Sequence, residues 1–180
     1  MIRFTLRAAL LGAAVGWLVE RFLAARAGDR APRAISSLVV IDAPMARVWQ
    51  VLADIEGQPR WMRDMKAVRV LSGGPIGVGT RAEADVRIFG MQTVDPITIT
   101  AFEPPQRFAI RHEGRFSGEG VIELEPGADG RTTLVRWDET IVPPRLPHLT
   151  AALLGPILER VFQADLDRLR DLVETGSAGA

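Results

Sequence analysis

Two side chains of this chain have types and positions suited to chemistry, His112 and Glu139. Each falls in a run that alternates polar and apolar residues, and each falls on the apolar side of that alternation. A histidine and a carboxylate pointing into one interior can act as acid and base, or can orient a polar group on a bound molecule. The bland alternative is that both sit at a rim and are simply solvated. Around them the inventory is thin. There is no cysteine, which excludes a thiol nucleophile, a disulfide and a cysteine metal site. There is no tyrosine, and the only other histidine, His148 in PPRLPHLT, reads as an exposed loop residue. SGGPIGVGT is glycine-rich but contains neither G-x-G-x-x-G nor G-K-[ST], so it is not a phosphate cradle. No H-x-x-x-H spacing and no nucleophile-elbow serine occur, so neither a metal nor a cofactor is expected.

The elements that must position this pair follow from periodicity. Ile35–Asp42 reads as a strand, Ala43–Asp54 as a helix, and Ile55–Met62 as a second short helix carrying Trp61. Lys66–Leu71 is a strand. Extended runs follow at Arg81–Phe89, Thr93–Phe102, Arg107–Glu113, Phe116–Glu125 and Arg131–Val142, separated by glycine and proline turns. Leu149–Glu174 is a long amphipathic helix with Leu154, Ile157, Leu158, Val161, Leu169 and Leu172 as its buried stripe, and Pro156 is expected to bend it. The implied fold is α+β. A curved seven-stranded antiparallel sheet wraps around the long C-terminal helix, with two short helices after the first strand.

Alternation then names the inner face. Ala82, Ala84, Val86 and Ile88 point inward from one strand, and Ile97, Ile99 and Ala101 from the next. Phe108, Ile110 and His112 follow, then Phe116, Gly118, Gly120, Ile122 and Leu124, then Val135, Trp137, Glu139 and Ile141. The strands of His112 and Glu139 flank one intervening strand, about 10 Å apart at the backbone. The small residues Ala82, Ala84, Gly118 and Gly120 leave room for a hollow interior, unless the terminal helix fills it. The expected cavity lining is Trp61, Ala84, Val86, Ile88, Ile99, Phe108, Ile110, His112, Gly120, Ile122, Trp137 and Glu139 from the sheet side. From the helix come Leu154, Ile157, Leu158 and Val161. A bulge in the last strand would swap its faces and turn Arg136 and Asp138 inward instead.

Residues 1–27 form a separate hydrophobic helix, containing AALLGAAVGWLV. Three readings are open for it: a membrane anchor, a signal peptide disfavoured by Glu20–Arg21, or a helix packed on the domain or on another copy, for which Gly12 and Gly16 allow close approach. Residues 1–33 carry six arginines against Glu20 and Asp29, a net +4 on a chain whose 22 basic and 22 acidic side chains balance. That head suits anionic lipid, and the arginines after it would leave the main domain on the cytoplasmic side of a crossed membrane. A neutral chain offers no electrostatic case for nucleic acid. Residues 28–34 read as a linker, 35–175 as the main domain and 176–180 as a frayed tail.

Several stretches in order resemble the START, Bet v 1 and polyketide-cyclase-like superfamily, whose members share a helix-grip domain. VVIDAPMARVWQVLADIEGQPRWM is similar to its opening strand and two helices. GGPIGVGTRAEADV is similar to its turn into the third strand, and TAFEPPQRFAIR and VIELEPGADGRTTLVRWDETI to later hairpins. The resemblance covers about residues 35–175. It implies a deep cavity between sheet and terminal helix that takes lipids, sterols, quinones or polyketides, with catalysis in a minority of members. The leading expectation is therefore a non-catalytic carrier of an apolar small molecule near a membrane. One alternative is a cyclase- or dehydratase-type enzyme using His112 and Glu139. Another is a protein-interaction role with a filled core.

Overall fold

The computed structural model describes residues 2–28, 34–88 and 90–177, with side chains of 2–11, 88 and 177 outside the description. The chain runs α1 (Ile2–Ala27), β1 (Ile35–Ile41), α2 (Met45–Leu52), a 3-10 helix (Ile55–Arg60), β2 (Met65–Val70), β3 (Arg81–Ile88), β4 (Met91–Glu103), β5 (Arg107–Glu113), β6 (Ser117–Pro126), β7 (Thr133–Val142) and α3 (Pro147–Ser177). The seven strands form one antiparallel sheet in the order β1-β7-β6-β5-β4-β3-β2. Only β1 steps out of sequence, because α2 and the 3-10 helix carry the chain from one sheet edge to the other.

The short helices end where local chemistry stops them. Pro44 lies outside α2, and its carbonyl accepts from the N–H groups of Arg47 and Val48. Asp54 caps the 3-10 helix by accepting from Gly57 N–H. That helix delivers Trp61, which is wholly buried edge-on against Trp137.

Strand β7 pairs with both β1 and β6 without a register shift. The face swap that a bulge would impose therefore does not occur, and Val135, Trp137, Glu139 and Ile141 share one side. The shifts lie elsewhere, in β2 against β3 and in β4 against β5.

The terminal helix differs from its expected stripe. Leu166, Leu169 and Val173 are fully buried, whereas Ile157 is exposed. Ile157 and Leu158 are 100° apart on a helix, so only one of them can face the sheet squarely, and the structure turns Leu158 inward.

Helix α1 lies against the start of α3. Glu20 is largely buried and accepts from the N–H groups of His148 and Leu149 and from His148 Nδ1 at 2.9 Å, so it caps α3 from another helix. Burial works against the charged form of Glu20, but these bonds outweigh it and hold its pKa below the ordinary value. His148 is accordingly not an exposed loop residue. It sits in the first turn of α3 under α1. Gly16 faces Leu146 and Leu149, while among the described residues nothing lies within 4 Å of a Cβ placed at Gly12, so of the expected glycine pair only Gly16 makes the contact. Among the described residues, no helix is long and apolar enough to cross a membrane. Most of the stretch read as a linker, 29–33, and the last residues of the tail, 178–180, lie outside the described residues.

Candidate functional site

The polar cluster of the interior is assembled across four strands. His112 on β5 stands opposite Gly118 of β6, and Glu139 on β7 stands opposite Gly120 of β6. A side chain on β6 would normally separate the two. With glycine there, the Glu139 carboxylate lies over the bare strand and meets His112 Nε2 at 2.8 Å. A Cβ at position 120 would fall 2.5 Å from Glu139 Oε2, and one at 118 would strike the Thr140 carbonyl from a positive φ. Position 118 therefore requires glycine, and a side chain at 120 would displace the Glu139 carboxylate from its place over the strand. On the other side, His112 Nδ1 is 2.5 Å from Asp95 Oδ2 of β4, and a Cβ at Gly114 would crowd that carboxylate too.

Glu139 is 3 % exposed. An ionised carboxylate at that depth is costly unless its oxygens are bonded. Here Oε1 accepts from His112 and Oε2 from the indole N–H of Trp137 at 2.9 Å. Burial alone would push the His112 pKa down. The bonds to Asp95 and Glu139, and their charges, outweigh it and raise the pKa to about 10. At neutral pH His112 is thus an imidazolium donating both N–H groups to carboxylates. It is no free base, and acid–base work would first require one of those bonds to open.

Beside the cluster lies a cavity of about 250 Å³. Of the residues expected to line it, Ala84, Val86, Phe108, Ile110, His112, Gly120, Ile122, Trp137 and Glu139 do so from the sheet, and Leu154, Leu158 and Val161 from α3. Three expected residues do not. Trp61 and Ile99 are fully packed core side chains, and Ile157 faces outward. The side chain of Ile88 lies outside the described residues. Ala82, counted among the small residues that open the interior, packs instead in the core.

Sequence reasoning missed Asp95, although it shares the face of Ile97 and Ile99; Ala101, expected on that face too, is turned off it by the register shift between Ile99 and Ala101, which sets Phe102 opposite Phe108 instead. That face was read from its apolar members alone, and the same alternation carried two residues back reaches Asp95. It also missed Phe162, which stacks on Trp137 at 4.7 Å, and Asp165, on the α3 face toward the cavity. Burial raises the Asp165 pKa, against the opposing bonds from Arg63 N–H and Arg168. Among the described residues, no group of three or more His, Asp or Glu side chains is arranged to hold a metal ion.

Sheet, roofing helix and internal cavity together define a helix-grip domain. Residues 32–174 match the model of the family described as polyketide cyclase / dehydrase and lipid transport, and the chain belongs to that family. Its fold is similar to that of a START superfamily protein from Mycobacterium smegmatis, with 17 % identity, a TM-score of 0.66, and 79 % of this chain and 98 % of that one covered. It is also similar to the ZhuI aromatase/cyclase from a Streptomyces species, with 20 % identity, a TM-score of 0.64, and 82 % and 98 % covered. No curated protein sequence matches the chain.

Proposed function

We propose that the domain binds and carries an apolar small molecule, of lipid, quinone or polyketide-like chemistry, in this cavity. The observation that carries the reading is an internal space of about 250 Å³ with mostly apolar walls and the buried His112–Asp95–Glu139 cluster set into them. Apolar walls supply affinity, and a few convergent polar groups supply orientation. An apolar cavity of about 150 Å³ binds benzene, so this one suits a larger ring system or a folded chain. The test is native mass spectrometry of protein purified from its own cells. A non-covalent adduct lost on denaturation is the expected result. A chain with no adduct that also takes up no apolar dye contradicts the reading.

The enzymatic alternative rests on the same cluster, since a histidine between two carboxylates beside a cavity could move a proton. Recovery of the co-purified molecule unchanged after prolonged incubation would favour carriage, and its conversion would favour catalysis.

Carriage near a membrane draws support from the outer face of α1. Val15, Trp17, Leu18 and Phe22 are exposed there, with Arg21 and Arg26 stacked on Trp17 and Phe22, and Leu153 of α3 is exposed as well. This pattern suits a helix lying in the lipid interface. In a flotation assay with vesicles containing anionic lipid, the full chain should float, and a Trp17→Glu, Phe22→Glu variant should remain at the bottom.

A further inference from the structure

We propose that the cavity selects an apolar molecule bearing a hydroxyl group, which donates to Asp95, over one bearing a carboxylate; this rests on the ligand-binding reading above. The donors of the cluster are spent within it. His112 gives both N–H groups to Asp95 and Glu139, and Trp137 gives its N–H to Glu139. What the cluster presents to the cavity is carboxylate oxygen. Asp95 lines the cavity, and its Oδ1 has no hydrogen-bond partner among the described residues.

The charge around the cavity points the same way. Asp64, Asp95, Glu139 and Asp165 all contribute to the lining, against the His112 imidazolium and Arg115. Arg115 is exposed in the turn between β5 and β6, so it serves the rim and not the depth. A ligand carboxylate brought to the cluster would lose its hydration and meet the Asp95 Oδ1, an oxygen of its own sign. An ammonium would match in charge but would give up its hydration among apolar walls. A neutral hydroxyl gives up little and gains a bond to a charged acceptor. The remaining polar side chains of the lining that carry a donor, Gln58, Thr93 and Thr150, can each donate or accept, so they do not discriminate.

The test is equilibrium dialysis of the full chain at pH 7 against naphthalene, 2-naphthol and 2-naphthoate, three probes of one ring system. The expected order is naphthol tighter than naphthalene by at least about tenfold, with naphthoate the weakest. In the Asp95→Asn variant, whose amide turns a donor toward the cavity once its oxygen serves His112, the naphthol-to-naphthoate ratio should fall by at least about tenfold. Naphthoate binding as tightly as naphthol to the wild type overturns the inference, as does a ratio unmoved by Asp95→Asn. If that variant does not fold, the wild-type order decides alone. Naphthalene binding with no gain for naphthol sinks only the hydroxyl selection. No uptake of any of the three sinks the ligand-binding reading with it.

Discussion

Helix α3 passes over two different interiors. From Leu166 onward it presses on filled core, where Leu166, Leu169 and Val173 meet Val48, Leu52, Ile41 and Val135 with no exposed surface left. Before Phe162 it roofs the hollow, where Ala151, Leu154 and Leu158 look down on Ala84, Gly120 and the polar cluster. The same sheet serves both ends, and residue size decides which end is which. Large β-branched and aromatic side chains close one end, while glycine and alanine on β3 and β6 open the other. Stability comes from apolar burial at the filled end, and at the hollow end it depends on hydrogen bonds among charges.

The sharpest way to break this contrast is His112→Ala. It strands Glu139 at depth without its cation and should cost about 3–5 kcal/mol in urea unfolding. A loss under about 1 kcal/mol would mean that the hollow end does not depend on the cluster. Next comes truncation along α3. Leu169→Ala empties packed core and should cost about 2–5 kcal/mol, whereas Leu158→Ala already borders space and should cost clearly less. Equal losses would erase the distinction between the two ends.

Enlargement on one face of one strand sharpens it further. Ala82→Phe intrudes on core and should cost about 1–3 kcal/mol. Ala84→Phe, two residues on, should leave stability nearly unchanged and abolish uptake of an apolar dye. The effect that is smallest at each step is a slope with pH. His112 has its folded pKa raised from 6.5 to about 10, so its contribution is fully present below pH 6.5 and is lost as pH rises through about 10. Unfolding free energy should fall across that window by up to about 1.4 kcal/mol per pH unit, and a His112→Phe variant should lack that component.

Much of this was legible in the chain itself. Alternation along each strand was enough to place Phe108, Ile110, His112, Trp137 and Glu139 on the inner side, because a strand's period of two admits only two faces. The same rule reached Asp95, but an isolated carboxylate before an apolar run carries no local mark of a partner 17 residues ahead. Helix faces were less certain. A period of 3.6 leaves neighbours such as Ile157 and Leu158 both plausible, and only contact with the sheet chose between them. The docking of α1 lay further out of reach, since an apolar helix carries no local mark of what it packs on until Glu20 is found capping α3.

By itself, then, the sequence determined the order of the elements, the antiparallel sheet and the inward set of the unbulged strands. All of these follow from local periodicity and short connections. On β4, by contrast, the register shift between Ile99 and Ala101 brings Phe102, not Ala101, to the inner face. The tertiary structure alone decided that two residues on strands set apart by a third would touch. That contact depends on the register of β5, β6 and β7 together, and on glycines 118 and 120 standing between them. Register is a property of paired strands, so no single stretch of sequence contains it.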